Sequence, residues 1–105
     1  MPEFVVTNER AETETIALTG PVFRIGRGAR ACDYVLDHPA ISRLHLVVRV
    51  DAGKAFVADN NTRNGTLVNG EPLTGERELA DGDVIEICGI TLAFHADVPA
   101  DQLAP

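Results

Sequence analysis

The sequence predicts an all-β fold built as one domain, on three observations. Short runs rich in Val, Ile, Leu, Phe and Thr recur along the chain, each closed within a few residues by Gly, Asn, Asp or Pro. No segment sustains the 3.6-residue apolar period of a helix. No apolar run approaches the roughly 20 residues that a membrane helix needs. Many short, punctuated strands without helices make an antiparallel sandwich or barrel. There is no internal repeat and no linker that would divide the 105 residues, so the expected domain runs over 1–96, followed by a loose C-terminal tail over 97–105.

The elements follow in order. Phe4-Val5-Val6-Thr7 opens the chain as a strand, and Thr13 to Leu18 alternates weakly between polar and apolar, as a half-exposed strand does. Gly20-Pro21 breaks it, and Val22-Phe23-Arg24-Ile25 resumes β character until Gly26. Residues from Arg27 to Ser42 form a loop holding a brief strand at Tyr34-Val35-Leu36. His45-Leu46-Val47-Val48-Arg49-Val50 and Lys54-Ala55-Phe56-Val57-Ala58 face each other across Asp51-Ala52-Gly53 as a hairpin. Two Asn-Gly pairs, Asn64-Gly65 and Asn69-Gly70, flank a short run at Thr66-Leu67-Val68. Both residues of such a pair tolerate positive φ, so each predicts a tight turn. Asp81-Gly82-Asp83 then turns into Val84 to Cys88, and Gly89 into Ile90 to Phe94.

Composition limits the functions. A formal charge of −7 argues against a nucleic-acid or anionic-membrane surface. Cys32 and Cys88 form no disulfide framework, and neither they nor the scattered His38, His45 and His95 match a metal-ligand spacing, so no cofactor or metal is expected. Two thiols and the lack of a secretory start predict a cytoplasmic protein. Within this acidic chain, Arg24, Arg27, Arg30, Arg43 and Arg63 fall in or beside the glycine-rich and polar segments. They are either scattered solubilising groups or the wall of one anion site. A phosphorylated Ser or Thr side chain, with about −1.5 to −2 charges and three acceptor oxygens, suits arginine forks, hydroxyls and loop N–H groups.

Four segments sharpen this choice: Phe23-Arg24-Ile25-Gly26-Arg27, Ile41-Ser42-Arg43-Leu44-His45, Thr62-Arg63-Asn64-Gly65-Thr66-Leu67-Val68-Asn69-Gly70, and Gly82-Asp83-Val84-Ile85. In this order and at these spacings they resemble the motifs of forkhead-associated (FHA) domains, over a motif core of 22–94. The resemblance implies an eleven-stranded antiparallel β-sandwich whose loops, at one end, recognise phosphothreonine peptides, with no catalysis. It places Arg27, Ser42 and Arg43 on the phosphate, and Asn64 on the peptide backbone with Thr62 and Arg63 beside it as a variable pair. Gly26, His45 and Gly65 support the site, His45 by bracing loops without touching ligand. The implied partner is a phosphothreonine protein or peptide, such as a Ser/Thr kinase or its substrate, and the chain fits either a whole protein or part of a longer multidomain protein.

Two departures from the family pattern stand out. Arg63 occupies a position where a small hydroxyl residue is commoner, so its guanidinium either replaces that phosphate contact or reads acidic residues nearby. Ala40 stands where some members carry a charged residue that selects a flanking side chain. Ser42 and His45 suggest a nucleophile and base, but no Gly-x-Ser-x-Gly elbow or orienting acid accompanies them. Gly26-Arg27-Gly28 starts a dinucleotide fingerprint that no helix continues. Thr13 and Thr15 read as the outer face of a strand, with docking of phosphorylated threonines into the domain's own site as the alternative. The alternative to phosphopeptide recognition is a phosphate-independent assembly domain acting through a sheet face.

Overall fold

A computed structural model describes residues 2–96; the tail expected over 97–105 lies outside the described residues. Eleven strands form two sheets: β1 (Glu3–Thr7), β2 (Thr13–Ala17), β3 (Val22–Gly26), β4 (Tyr34–Val35), β5 (Leu46–Asp51), β6 (Lys54–Asp59), β7 (Leu67–Val68), β8 (Glu71–Pro72), β9 (Glu76–Leu79), β10 (Val84–Ile87) and β11 (Ile90–His95). One sheet has the order β2-β1-β11-β10-β7-β8 and the other β4-β3-β5-β6-β9. All pairs are antiparallel except β3 with β4, which run parallel because the chain loops back before laying Tyr34-Val35 beside Ile25-Gly26. The fold is the expected all-β sandwich.

Period-two burial joins the sheets. Phe4 and Val6 of β1, Leu46 and Val48 of β5, Ala55 and Val57 of β6, and Ile85 and Ile87 of β10 all point into a shared core. Phe4 and Phe94 are cross-strand partners whose rings meet edge to face with centroids 5.7 Å apart. Burying each such side chain contributes roughly 1.5–3 kcal/mol, which is what opposes the entropy of ordering so many short strands.

Three two-residue hairpin loops put both central residues at positive φ: Ala52-Gly53, Asn69-Gly70 and Cys88-Gly89. Asn69-Gly70 is thus the turn the sequence predicts, and Cys88 belongs to a turn and not to a strand. Asn64-Gly65 is different: only Gly65 has positive φ, so this pair is a bend in a loop and not a hairpin turn. Asn69 also spans two motifs, with its Nδ2 donating to Asp83 Oδ1 at 2.9 Å and its Oδ1 accepting the Val84 N–H at 2.9 Å. Strand β9, with the sequence Glu-Arg-Glu-Leu, has one buried residue, Leu79. It carries its charges on a sheet edge, where they discourage further pairing.

Strand register positions the loops. Ile25 of β3 pairs with Leu46 of β5, which pairs in turn with Asp59 of β6. The end of β3, the start of β5 and the end of β6 therefore lie side by side. The loops leaving or entering there, over residues 27–33, 36–45 and 60–66, emerge at one end of the sandwich.

Candidate phosphopeptide site

The first two loops are zipped together by their backbones. Arg27 N–H donates to the Ser42 carbonyl at 2.9 Å, Gly28 N–H to that of Arg43 at 3.0 Å, and His45 N–H to that of Ile25 at 2.9 Å. Gly26 permits this closeness: a Cβ there would sit 2.8 Å from the Ser42 carbonyl oxygen and closer still to that of Arg43. Arg27 then turns its Nε to the Ile41 carbonyl at 2.9 Å. That bond fixes the plane of the guanidinium while leaving its terminal nitrogens without a partner among the described residues. Ser42 is half-buried, and its hydroxyl likewise makes no hydrogen bond among the described residues. The Arg43 carbonyl also accepts from the Cys32 thiol at 2.9 Å.

His45 ties the third loop to these two. Its ring is fully buried. Nδ1 accepts the Ser42 backbone N–H at 3.2 Å, which leaves the ring proton on Nε2 to reach the Gly65 carbonyl at 3.0 Å. The histidine thus joins backbone groups of two loops, and no hydrogen bond links its ring to the Ser42 hydroxyl among the described residues, so a nucleophile–base pair is not assembled. Asp59, which sequence reasoning assigned no role, anchors the rest of the third loop. Its Oδ2 accepts the Thr62 N–H at 2.8 Å, and its Oδ1 accepts the Thr62 and Thr66 hydroxyls at 2.6 and 2.7 Å. The Thr62 oxygen in turn accepts the Gly65 N–H at 3.1 Å. Burial pushes the Asp59 carboxyl up, but the Thr62 hydroxyl and N–H, the Thr66 hydroxyl and neighbouring His45 outweigh it and hold the group below the usual carboxylate range. The one sequence signal for this role is an aspartate closing a strand with threonines three and seven residues on, a local side-chain-to-backbone pattern.

The loops enclose a depression of about 420 Å3 lined by Arg27, Pro39, Ala40, Ile41, Ser42, Arg63 and Asn64. It brings together Arg27 and Ser42 from the expected phosphate set with Arg63 and Asn64 from the expected peptide set. Asn64 Nδ2 donates to the Ala40 carbonyl at 2.7 Å, which closes the wall between the second and third loops. Arg43 stands beside the depression, and the Cβ and Cγ of its stem lie near Gly28. Thr62 faces inward, its hydroxyl occupied by Asp59. No acidic residue lines the depression, and Arg27, Arg43 and Arg63 make no ion pair among the described residues, although Arg24 and Arg49 do. A second concavity of about 390 Å3 is lined by Glu12, Glu14, Asp37 and Tyr34 among others. Its carboxylates would repel a phosphate, so charge and not size separates the two.

The family sequence model described as the FHA domain matches residues 23–88, most of the described chain. The chain belongs to the FHA family. It is 48% identical over 63 residues to the FHA domain-containing protein FhaA of Mycobacterium tuberculosis, covering 60% of this chain and 12% of FhaA. The fold superposes on Mycobacterium tuberculosis EmbR, solved with a low-affinity phosphopeptide, with a TM-score of 0.85 at 27% identity over 94% of this chain and 25% of EmbR. An FHA domain solved in a study of phosphothreonine-dependent interactions gives a TM-score of 0.81 at 32% identity, covering 92% of this chain and 99% of that one. The chain thus spans a small part of FhaA and EmbR and nearly all of the isolated FHA domain.

Proposed function

We propose that residues 1–96 act as a non-catalytic recognition module that binds phosphothreonine segments of partner proteins in Ser/Thr-kinase signalling. The observation that carries this reading is the pairing, in one acid-free depression, of a pre-set Arg27 guanidinium with the free hydroxyl of Ser42. These donors match a phosphate dianion, with Arg43 at the rim for a further contact. Asn64, at the opposite wall, has its amide oxygen free to accept from a peptide N–H. Pro39 and Ala40 supply apolar surface for the methyl that distinguishes threonine from serine. Relatives fit the reading, since EmbR binds a phosphopeptide and another FHA domain is described as phosphothreonine-dependent.

A cytoplasmic setting, where Ser/Thr kinases and their substrates meet, agrees with two unpaired cysteines. No described helix is long and apolar enough to cross a membrane. The assembly alternative lacks support: the large apolar residues exposed on the described surface are Val35 and Val84, one on each sheet, far from a contiguous sticky face.

Calorimetric titration of a phosphothreonine peptide library tests the proposal. Each charge-assisted hydrogen bond contributes about 1.5–3 kcal/mol, so Arg27→Ala should weaken binding about ten- to hundredfold. Equal affinity for phosphorylated and unphosphorylated peptides would refute it.

A further inference from the structure

Resting on the phosphopeptide reading, we infer that His38 is a proton-sensitive positioning residue: neutral, it holds the wall at Ala40 in place for ligand, and protonated, it releases that wall.

His38 does not line the ligand depression; it acts through the turn that follows it. His38-Pro39-Ala40-Ile41 closes where the Ile41 N–H donates to the His38 carbonyl at 3.1 Å, with proline at the second position, where its fixed φ suits a turn. The imidazole folds over the same turn, and its Nδ1 accepts the Ala40 N–H at 3.1 Å. Its other nitrogen, Nε2, stands 3.0 Å from Oε1 of Glu9, in the turn between β1 and β2. Glu9 is itself packed over Gly89, where an added Cβ would lie 3.4 Å from its Cγ. An N–H on one side and a carboxylate on the other fix the tautomer, with the ring proton on Nε2.

Ala40 is the residue through which this bond reaches the site. Its carbonyl accepts Asn64 Nδ2 at 2.7 Å and the Cys88 thiol at 3.6 Å. The next carbonyl, of Ile41, orients the Arg27 guanidinium. The bond from His38 therefore steadies both the Asn64 wall and the group that aims Arg27.

Protonation reverses one of the two ring contacts. An imidazolium carries a proton on each nitrogen, so Nδ1–H meets the Ala40 N–H, donor against donor, and that bond is lost. The Nε2–H bond to Glu9 survives and becomes charge-assisted. The surroundings favour the charged ring. A depression of about 280 Å3 beside it is lined by Glu9, Glu12 and Asp37 against one cation, Arg10, with Asn8 and Ile90 uncharged. Arg27 and Arg63 lie across Ala40, in the ligand depression. Burial and Glu9 hold the Cys88 thiol, on the turn between β10 and β11, above its usual range, so it stays uncharged. Proton uptake thus exchanges the Ala40 bond for a stronger hold by Glu9. An imidazole ordinarily changes charge at about pH 6.5, so the hold on Ala40 is present above that range and is lost as pH falls. A ligand that needs the wall in place binds the neutral form better. The ceiling is the worth of one neutral hydrogen bond, about a two- to tenfold factor in affinity.

Fluorescence anisotropy with one phosphothreonine peptide, from about pH 7.5 down to about pH 5.5, tests this against His38→Asn. An asparagine ahead of proline can accept the same N–H, two residues on, but takes up no proton. The peptide phosphate, with its own pKa of about 6, acts alike with both proteins and cancels, as do His45 and His95. The readout is the factor by which Kd rises in acid for the wild type, divided by that factor for His38→Asn. A quotient of about two to ten is expected. In Glu9→Gln the loss of affinity should move to lower pH, because the carboxylate that attracts the proton is gone. Nitrogen NMR spectra at about pH 7.5 should show the His38 proton on Nε2. A quotient of one or below, a profile unmoved by Glu9→Gln, or a proton on Nδ1 overturns the inference while leaving phosphothreonine recognition standing. Absence of any phosphate-dependent binding in the neutral range overturns both.

Discussion

Asp59→Asn is the most informative perturbation of the site's frame, because the change is isosteric and the lost interactions can be counted. The carboxylate accepts three hydrogen bonds, one from the Thr62 N–H and two from the Thr62 and Thr66 hydroxyls, at 2.6–2.8 Å. An asparagine can keep its oxygen toward the two hydroxyls, but its NH2 group then faces the Thr62 N–H, donor against donor. One charge-assisted bond is lost and two become neutral. With about 1.5–3 kcal/mol for a charged bond and 0.5–1.5 for a neutral one, the lost bond and the two weakened by about 1–1.5 kcal/mol each bring the expected loss to about 3.5–6 kcal/mol, with the side chain only 15% exposed. For a domain of this size that lowers Tm by roughly 15 °C or more. Urea unfolding followed by circular dichroism measures it, with an unchanged m value as the check that the two-state comparison holds.

The same residue makes a pH prediction with a definite sign. Its folded pKa is depressed, so its ionised form stabilises the fold above the unfolded value of about 3.9, and this contribution is lost as pH falls through the folded value. The stability gap between wild type and Asp59→Asn should be full at pH 7 and close in the acid range below about pH 4. A variant within about 0.5 kcal/mol of wild type at pH 7, or a gap undiminished in acid, would show that the carboxylate does not anchor the loop as described.

Two further perturbations probe the neighbouring loops. Gly26→Ala forces a methyl group against the carbonyls of Ser42 and Arg43, backbone atoms that cannot rotate away. It should cost several kcal/mol and abolish phosphopeptide binding, and a variant that melts within about 2 °C of wild type would contradict the close approach. Burial pushes both thiols up, with Asp33 adding to it against the Gly28 backbone and Arg24 at Cys32, and Glu9 adding to it at Cys88. At pH 7 both should react with iodoacetamide several-fold more slowly than free cysteine, and a rate matching the free amino acid for either would count against its position.

What the sequence made legible divides by physical cause. Strands with β-branched cores, such as Leu46–Asp51 and Lys54–Asp59, announce themselves because alternation and a closing glycine are local properties. Glu76–Leu79 does not, since a charged edge strand has one inward residue and no readable period. Asn64-Gly65 and Asn69-Gly70 are the same dipeptide, yet only the second closes a hairpin. The first is held in a bend by bonds to Ala40, Thr62 and His45, which lie 3 to 24 residues away. Local chemistry permits a turn at both places, and tertiary contacts decide. The position of Asp59 was visible, but its role depends on which way its carboxylate faces, and that follows from the register of β5 on β6.

The two arginines that line the depression differ in the property that most affects binding energetics, their freedom before ligand arrives. Arg27 is bound through Nε to the Ile41 carbonyl, so part of the cost of ordering a long side chain, about 0.5–1.5 kcal/mol for one immobilised on binding, is met during folding. On the phosphopeptide reading proposed above, its remaining N–H groups are already aimed at the phosphate, which favours affinity. Arg63 has a pinned backbone and an unbound side chain, so any contact it makes must offset that ordering cost and works in a well-screened place.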